Sequence, residues 1–423
     1  MNWGGTLSMI ALPKTRGELR QHLKDPLYKN SFYIMLTSIT GAEFGFVFWI
    51  LAAKLYQPED VGIATALISS MTLLVLLTRF GLDQSIIRFF PENDKSKVFS
   101  TTIIITTAFV NIFGAIFIIG VDIFSPELQL LKSATNALLF LLVLAASSIA
   151  AITGISFVAL RKANFYFLQS LIMGLRVFFI FPLVFLGAIG IFGAVGVSYI
   201  IAIAVSLFFI IKLGIKKKYK IDKRFLNAAF HFSIGNYLAM LFITAPNTIL
   251  PLMVLNILGA EQTAYYYISF AIASLLYMIP NAVSMSLFVE GSHGAALKKT
   301  TVKSLIAIFS LLIPAVFILY FSGGWVLGII GKNYCANGLE LLRIMVIASL
   351  FKVVTSIYFS IKRVHKEVKG LIFLSALIFI LVVGLSYVLI IEFGIVGAGY
   401  AWMVGYGLGS LIVGGIVWRE GWV

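Results

Sequence analysis

Ionisable side chains inside long apolar runs are the residues of this chain whose types and positions could do chemistry. Glu43 lies in one such run, Arg79 and Asp83 in the next, and Arg176, Arg343 and Lys352 in later ones. An ionisable residue at the centre of a bilayer helix costs about 3 kcal/mol on insertion scales, so such groups face an aqueous cavity or one another. Glu43 sits between Gly41 and Gly45, where a backbone can be approached closely. A carboxylate in a poorly hydrated cavity has a raised pKa and can carry a proton, or it can coordinate sodium. The competing reading is a static partner for Arg79 or Lys352. Arg79 and Asp83 are spaced i,i+4, the spacing of an ion pair on one helix.

A second group is polar and neutral. The seventh and eighth apolar runs carry Asn236, Pro246, Asn247, Pro251 and Asn281. Proline removes an intrahelical hydrogen bond, and unpaired backbone at membrane depth is tolerated where it lines a cavity or meets protein. These five residues are candidates for a polar hinge. Tyr265, Tyr266 and Tyr267 are expected at a membrane boundary, where aromatic belts lie.

Other chemistry is poorly provided for. His22, His231, His293 and His365 are scattered, without metal-ligand spacing. A single cysteine, Cys335, allows no intrachain disulfide. No Walker A loop and no Ser-His-Asp constellation is evident. Neither a metal nor an organic cofactor is expected; sodium ions or protons are the candidates for coupling.

The elements that position these residues follow from composition. The chain has 423 residues, is 60% hydrophobic and 12% charged. A soluble domain is about half apolar and a quarter charged. The sequence therefore predicts an all-α polytopic membrane protein. Twelve spans are expected, near 31–53, 61–86, 101–121, 134–158, 168–189, 195–213, 233–257, 267–289, 304–322, 341–361, 371–390 and 400–418. Most of the 32 Lys and Arg fall in connections on one side, while the other side holds Lys54, Lys132 and Lys332. The positive-inside rule then places both termini in the cytoplasm. The net charge of +15 reflects that rule and anionic lipid rather than nucleic acid.

The predicted organisation is a basic arm (1–30), six spans (31–213), a basic linker (214–232), six more spans (233–418) and a short tail (419–423). The linker is expected as an amphipathic segment on the inner leaflet. Weak internal matches support two parallel six-helix bundles around a central cavity. Gln57-Pro58-Glu59-Asp60 corresponds to Gly259-Ala260-Glu261-Gln262, the Leu160 turn to the Lys362 turn, and Gly190-Ile191-Phe192-Gly193-Ala194 to Gly394-Ile395-Val396-Gly397-Ala398. All three recur at a spacing of about 202–204 residues, as an internal repeat should. Parallel repeats in transporters place the substrate path between the halves.

The stretch Leu55-Tyr56-Gln57-Pro58-Glu59-Asp60-Val61-Gly62-Ile63-Ala64 resembles the first outer turn of prokaryotic polysaccharide-export proteins. These are oligosaccharide flippases of the multidrug/oligosaccharidyl-lipid/polysaccharide exporter superfamily. Arg79-Phe80-Gly81-Leu82-Asp83, the Arg161 to Phe165 turn and the Gly-x-x-Gly-Ala turns at Gly190 and Gly394 carry the same resemblance. It implies two six-helix bundles that open alternately to each side of the cell membrane. The implied cargo is a polyprenyl-(di)phosphate-linked oligosaccharide, moved for surface glycan assembly. Membrane lipids and glycan assembly enzymes would be its partners.

Such a cargo needs a cationic, hydrated cavity for its head. Arg79, Arg176 and Lys352 are the candidates to bind its phosphate, arginine as a bidentate fork and lysine as a point charge. The alternatives are a multidrug or organic-ion exporter of the same superfamily, a membrane enzyme, or a scaffold of polysaccharide assembly. Organic cations would want an acidic cavity, and the intramembrane excess here is basic.

Overall fold

The computed structural model describes residues 26–216, 221–292, 296–365 and 367–419. Most of the expected N-terminal arm and part of the basic linker lie outside them. Twelve helices organise the rest: α1 Pro26–Leu55, α2 Pro58–Thr78, α3 Lys95–Ile119, α4 Ala134–Ala159, α5 Ala163–Gly174, α6 Ala188–Lys212, α7 Lys223–Leu258, α8 Ala260–Ser292, α9 Leu297–Ile330, α10 Lys332–Val364, α11 Val368–Phe393 and α12 Ile395–Arg419. No strand occurs among the described residues. Eleven of these helices are long and apolar enough to cross a membrane, and α5 is shorter. The protein is an all-α polytopic membrane protein, as lipid requires of a chain that cannot leave backbone groups unpaired.

Two spans differ from expectation. The second stops at Thr78 rather than running to 86. Phe80 (φ 49°) and Gly81 (φ 75°) take left-handed backbone, which ends the helix, and a short amphipathic helix, Leu82–Phe89, follows. Arg79 and Asp83 therefore do not share one helix. The fifth breaks after Gly174, resumes for Arg176–Phe179, and is then stopped by Pro182. The long seventh helix begins at Lys223, so that end of the expected linker is helix continuous with the span.

Packing runs largely among α1–α6 and among α7–α12, with α2 lying against α7 and α8. The α2–α8 contact is close because Gly62 lacks a side chain: a Cβ there would stand 1.8 Å from the Ala260 carbonyl oxygen. At the opposite end of α2, Tyr237 Oη of α7 donates to the Leu77 carbonyl (2.8 Å), and the Ser85 and Ser233 hydroxyls share a 2.6 Å hydrogen bond. Asn256 of α7 accepts from Ser125 and donates to the Phe124 carbonyl. The two sets of helices are thus joined at both ends of α2.

The turn between α1 and α2 explains its own sequence. Pro58 opens α2, where its missing N–H costs nothing, and Glu59 and Asp60 meet the positive end of the helix. Asp60 reaches further, its carboxylate accepting from the Ala188 N–H at the start of α6 (2.9 Å). Tyr56 is buried and donates to the Ile180 carbonyl (2.7 Å). Burial, and secondarily the Asp60 carboxylate, push its hydroxyl up to about 12, so it stays a donor.

The repeat is visible, with one correction of register. Gly187 (φ 56°, ψ −136°) and Gly394 (φ 60°, ψ −147°) make the same turn before α6 and α12. Three residues later, Gly190 and Gly397 each leave room for a carbonyl, of Leu183 and Leu389, that a Cβ would meet at 2.0 Å. Gly190 thus matches Gly397, not Gly394. Tyr265 and Tyr266 are buried in the core rather than lying in a belt.

Gly62→Ala should destabilise by about 2 kcal/mol, the usual cost of overpacking. Gly384→Ala, where a Cβ meets open space, should be neutral or slightly stabilising. Thermal denaturation in detergent compares the two.

Candidate functional site

The break after α2 creates the polar interior of the first six helices. Because the chain turns at Phe80 and Gly81, Arg79 and Asp83 enter a cavity of about 420 Å³ between α1, α4, α5 and α6. Tyr166, Gln169 and Ser170 of α5 and Tyr199 of α6 complete its polar wall. The Arg79–Asp83 pair is loose, with Nη1 3.8 Å from Oδ2. That is an ion pair but not a hydrogen bond. Asp83 Oδ1 accepts instead from the Gln84 N–H. Arg79 Nε is buried with no hydrogen-bond partner.

Gln169 is 2% exposed, and its Nε2 donates to the Ala150 carbonyl (2.7 Å) and the Thr153 hydroxyl (3.2 Å). Those acceptors fix the amide orientation and leave Oε1 without a partner. Both orphaned groups belong to residues lining one cavity. Arginine fork, amide oxygen and two phenols form a surface suited to an anion and to hydroxyl-rich groups.

Arg176 lies close by. Gly45 of α1 leaves space for its guanidinium, with Nη2 3.4 Å from where a Cβ would be, and the Phe48 ring lies 5.1 Å beneath it. Gly41, which lines the cavity, is one turn away on α1, roughly 6 Å. Arg176 Nε is also buried and unpartnered.

Lys352 is placed apart, in the second set of helices. Its ammonium stands 4.3 Å from the Tyr277 ring centre, 5.6 Å from Tyr406 and 5.9 Å from Trp402. The rings give cation–π attraction where no carboxylate pairs with it among the described residues. Aromatic contacts reach α8 from both regions. Trp49 of α1 meets Tyr267 of α8 at 4.5 Å, Phe270 meets Trp402 at 5.7 Å, and Trp402 stacks on Tyr406 at 5.2 Å.

The other sequence candidates scatter. Glu43 is exposed and makes no ion pair among the described residues, so its expected partnership with Arg79 or Lys352 is not formed. It lies about 200° around α1 from Gly41 and Gly45, whose faces meet α5 and Arg176. Asn236 and Asn281 are exposed, Asn247 is half-buried, and Pro246 and Pro251 are buried inside an unbroken α7. Arg343 donates its Nε–H to the Tyr320 carbonyl (3.3 Å) and lies 5.3 Å from the Tyr320 ring centre. Among the described residues no cluster could hold a metal ion.

Gln169, Tyr166, Tyr199 and the aromatic cage were missed by sequence reasoning. Gln169 carried a signal, an amide within an apolar span. The cage carried one too, in Trp402 and Tyr406 spaced i,i+4.

Comparison with known proteins gives three results. A profile described as polysaccharide biosynthesis protein matches residues 27–289. A protein of Shigella flexneri named for O-antigen transport is 29% identical over 231 residues, covering 51% of this chain and 52% of the relative. This chain therefore spans about half of that relative's length. Among solved structures, lipid II flippase MurJ in an inward closed conformation aligns with a TM-score of 0.75 at 14% identity, over 92% of this chain and 87% of MurJ. An inward-facing multidrug resistance transporter of the MATE family aligns at 0.67 and 15% identity, over 90% of this chain and 98% of that one. A superfamily transporter from Pyrococcus furiosus aligns at 0.61 and 13%, over 95% and 97%. At these identities the structural likeness shows the fold.

Cysteine accessibility tests the cavity. In a Cys335→Ser background, Ser147→Cys and Ser170→Cys, which line it, should react with a small charged thiol reagent. Ser148→Cys, at a buried position outside the lining, should not.

Proposed function

Because the chain belongs to the polysaccharide biosynthesis protein family, we propose that it is a flippase for a polyprenyl-(di)phosphate-linked oligosaccharide. The observation that carries the reading is the weakly compensated positive charge among the apolar helices. Arg176 and Lys352 have no acid partner among the described residues, and Arg79 holds Asp83 only loosely. Such a set suits a phosphate on a lipid carrier. The polar wall of Tyr166, Gln169, Ser170 and Tyr199 suits the sugar hydroxyls beside it.

Transport would proceed by alternating access, with α1–α6 rocking against α7–α12. In this conformation α2 is joined to α7 and α8 at both ends. Opening toward either side requires one set of contacts to part. At the basic end these include the hydrogen bonds from Tyr237 to the Leu77 carbonyl, between Ser85 and Ser233, and from Ser85 to the Ala229 carbonyl (3.3 Å). Each is worth about 1 kcal/mol net, a cost that binding of a charged head can offset.

Asp83 and Glu43 are the candidates for coupling to sodium ions or protons. Protonation of Asp83 would remove the carboxylate nearest Arg79 and leave the guanidinium for phosphate. Pro246, Pro251, Asn236, Asn247 and Asn281 remain the candidates for a polar hinge in α7 and α8. The protein would sit in the cell membrane with its basic end and both termini cytoplasmic, and work beside glycan assembly enzymes. The basic excess speaks against the drug-exporter reading, since an organic cation would be repelled by Arg79, Arg176 and Lys352.

Depletion in cells tests the proposal. The complete lipid-linked oligosaccharide should accumulate on the inner leaflet, protected from an impermeant glycosidase. Unchanged amount and sidedness would remove the flippase reading and favour export of another substrate.

A further inference from the structure

Two apolar grooves occupy equivalent places in the two sets of helices. One, about 300 Å³, lies between α3, α4 and α6, lined by Phe99, Ile103, Ile149, Leu207 and Ile211. The other, about 220 Å³, lies between α9, α10 and α12, lined by Thr301, Val302, Leu305, Val354 and Val417. The helix triplets correspond in the internal repeat, as do the groove positions along each helix. Both grooves sit at the basic end. Their lips are open to the surroundings: Ile211 is 65% exposed and Val302 51%. Neither touches a helix of the other set, so neither lies on a path between them.

Lysines open the helix that walls each groove. Lys95 and Lys97 occupy the first turn of α3, with Lys95 at i−4 from Phe99 and i−8 from Ile103, on the groove face. Lys298 and Lys299 occupy the first turn of α9, and Lys298 itself lines the second groove. All four are exposed and none makes a salt bridge among the described residues. The Thr301 hydroxyl in the second groove has a buried oxygen with no hydrogen-bond partner. Apolar walls beneath exposed lysines match an acyl chain beneath an anionic headgroup.

We propose that each groove holds one resident anionic phospholipid of the basic-side leaflet. Its acyl chain lies between the helices and its phosphate is held by lysine of the first turn, one site per half. Such lipids would fix each six-helix unit at the same depth while the units move against each other. The proposal stands whether or not the cargo is a lipid-linked glycan, because it concerns surfaces away from the interface between the two sets.

The test is native mass spectrometry of the full-length protein with phosphatidylglycerol or phosphatidylcholine. Two phosphatidylglycerol molecules should be retained and phosphatidylcholine should not. Lys298→Gln with Lys299→Gln should remove one, and Lys95→Gln with Lys97→Gln the other, each lysine lost weakening retention about fivefold. Equal retention of both lipids would overturn the proposal. So would two bound molecules in every variant, or retention of a polyprenyl phosphate in place of phosphatidylglycerol. Exposed lysine-to-glutamine changes should leave the fold intact, and transport is not read out, so the result is independent of the flippase assignment.

Discussion

Positive charge held inside an apolar slab must be answered, and how it is answered organises this molecule. Each buried cation costs several kcal/mol unless something compensates it. The chain compensates its cations weakly. Arg79 has a carboxylate at 3.8 Å, Arg176 a ring at 5.1 Å, and Lys352 three rings. Tight carboxylate partners would have been more stabilising. Their absence leaves these guanidinium and ammonium groups without a tight counter-charge among the described residues, as the proposed binding of an anion requires.

The rest of the architecture can be read as support for that arrangement. The turn at Phe80 and Gly81 delivers Arg79 and Asp83 into the cavity. The Tyr56–Asp60 staple fixes α1 and α2 against the start of α6 and the chain after α5. Gly62 brings α2 within backbone contact of α8. Its neighbour α1 touches the same helix through Trp49 and Tyr267, and Phe270, about one turn further along α8, touches Trp402 of the Lys352 cage. The two cationic regions thus lie on different helix sets, each in aromatic contact with α8. A relative motion of the sets would change the distance between them.

Much of this was legible in the sequence. Twelve apolar runs, the charge asymmetry and the repeat gave the helical architecture, because lipid imposes length and polarity on every span. The intramembrane ionisable residues gave two of the groups now found at one cavity. What escaped was local geometry. Nothing in the hydropathy of 61–86 marks Thr78 as an end, because Phe80 breaks the helix by taking a backbone conformation rare for its type. Register within the repeat slipped by three residues because Gly187 and Gly190 both fit a turn, and only the carbonyl pressed against Gly190 separates them. Glu43 had a static partnership with Arg79 or Lys352 as one of its two readings, but helical phase turns it away from the face of α1 that meets α5 and Arg176. The Tyr265–Tyr267 run reads as a belt only if its helix starts near it. In fact α8 starts at Ala260, within contact of Gly62, and draws Tyr265 and Tyr266 into the core.

The central claim is that these cations are retained for an anionic ligand at the expense of stability. The most direct measurement sets thermal stability beside export for Arg79→Gln, Arg176→Gln and Lys352→Gln in cells lacking the native protein. Each variant should be as stable as the parent or more so. Export should fall by at least tenfold, the loss of a charge-assisted hydrogen bond of about 1.5–3 kcal/mol. Normal export from all three, or a collapse in stability that accounts for the lost export, would contradict it.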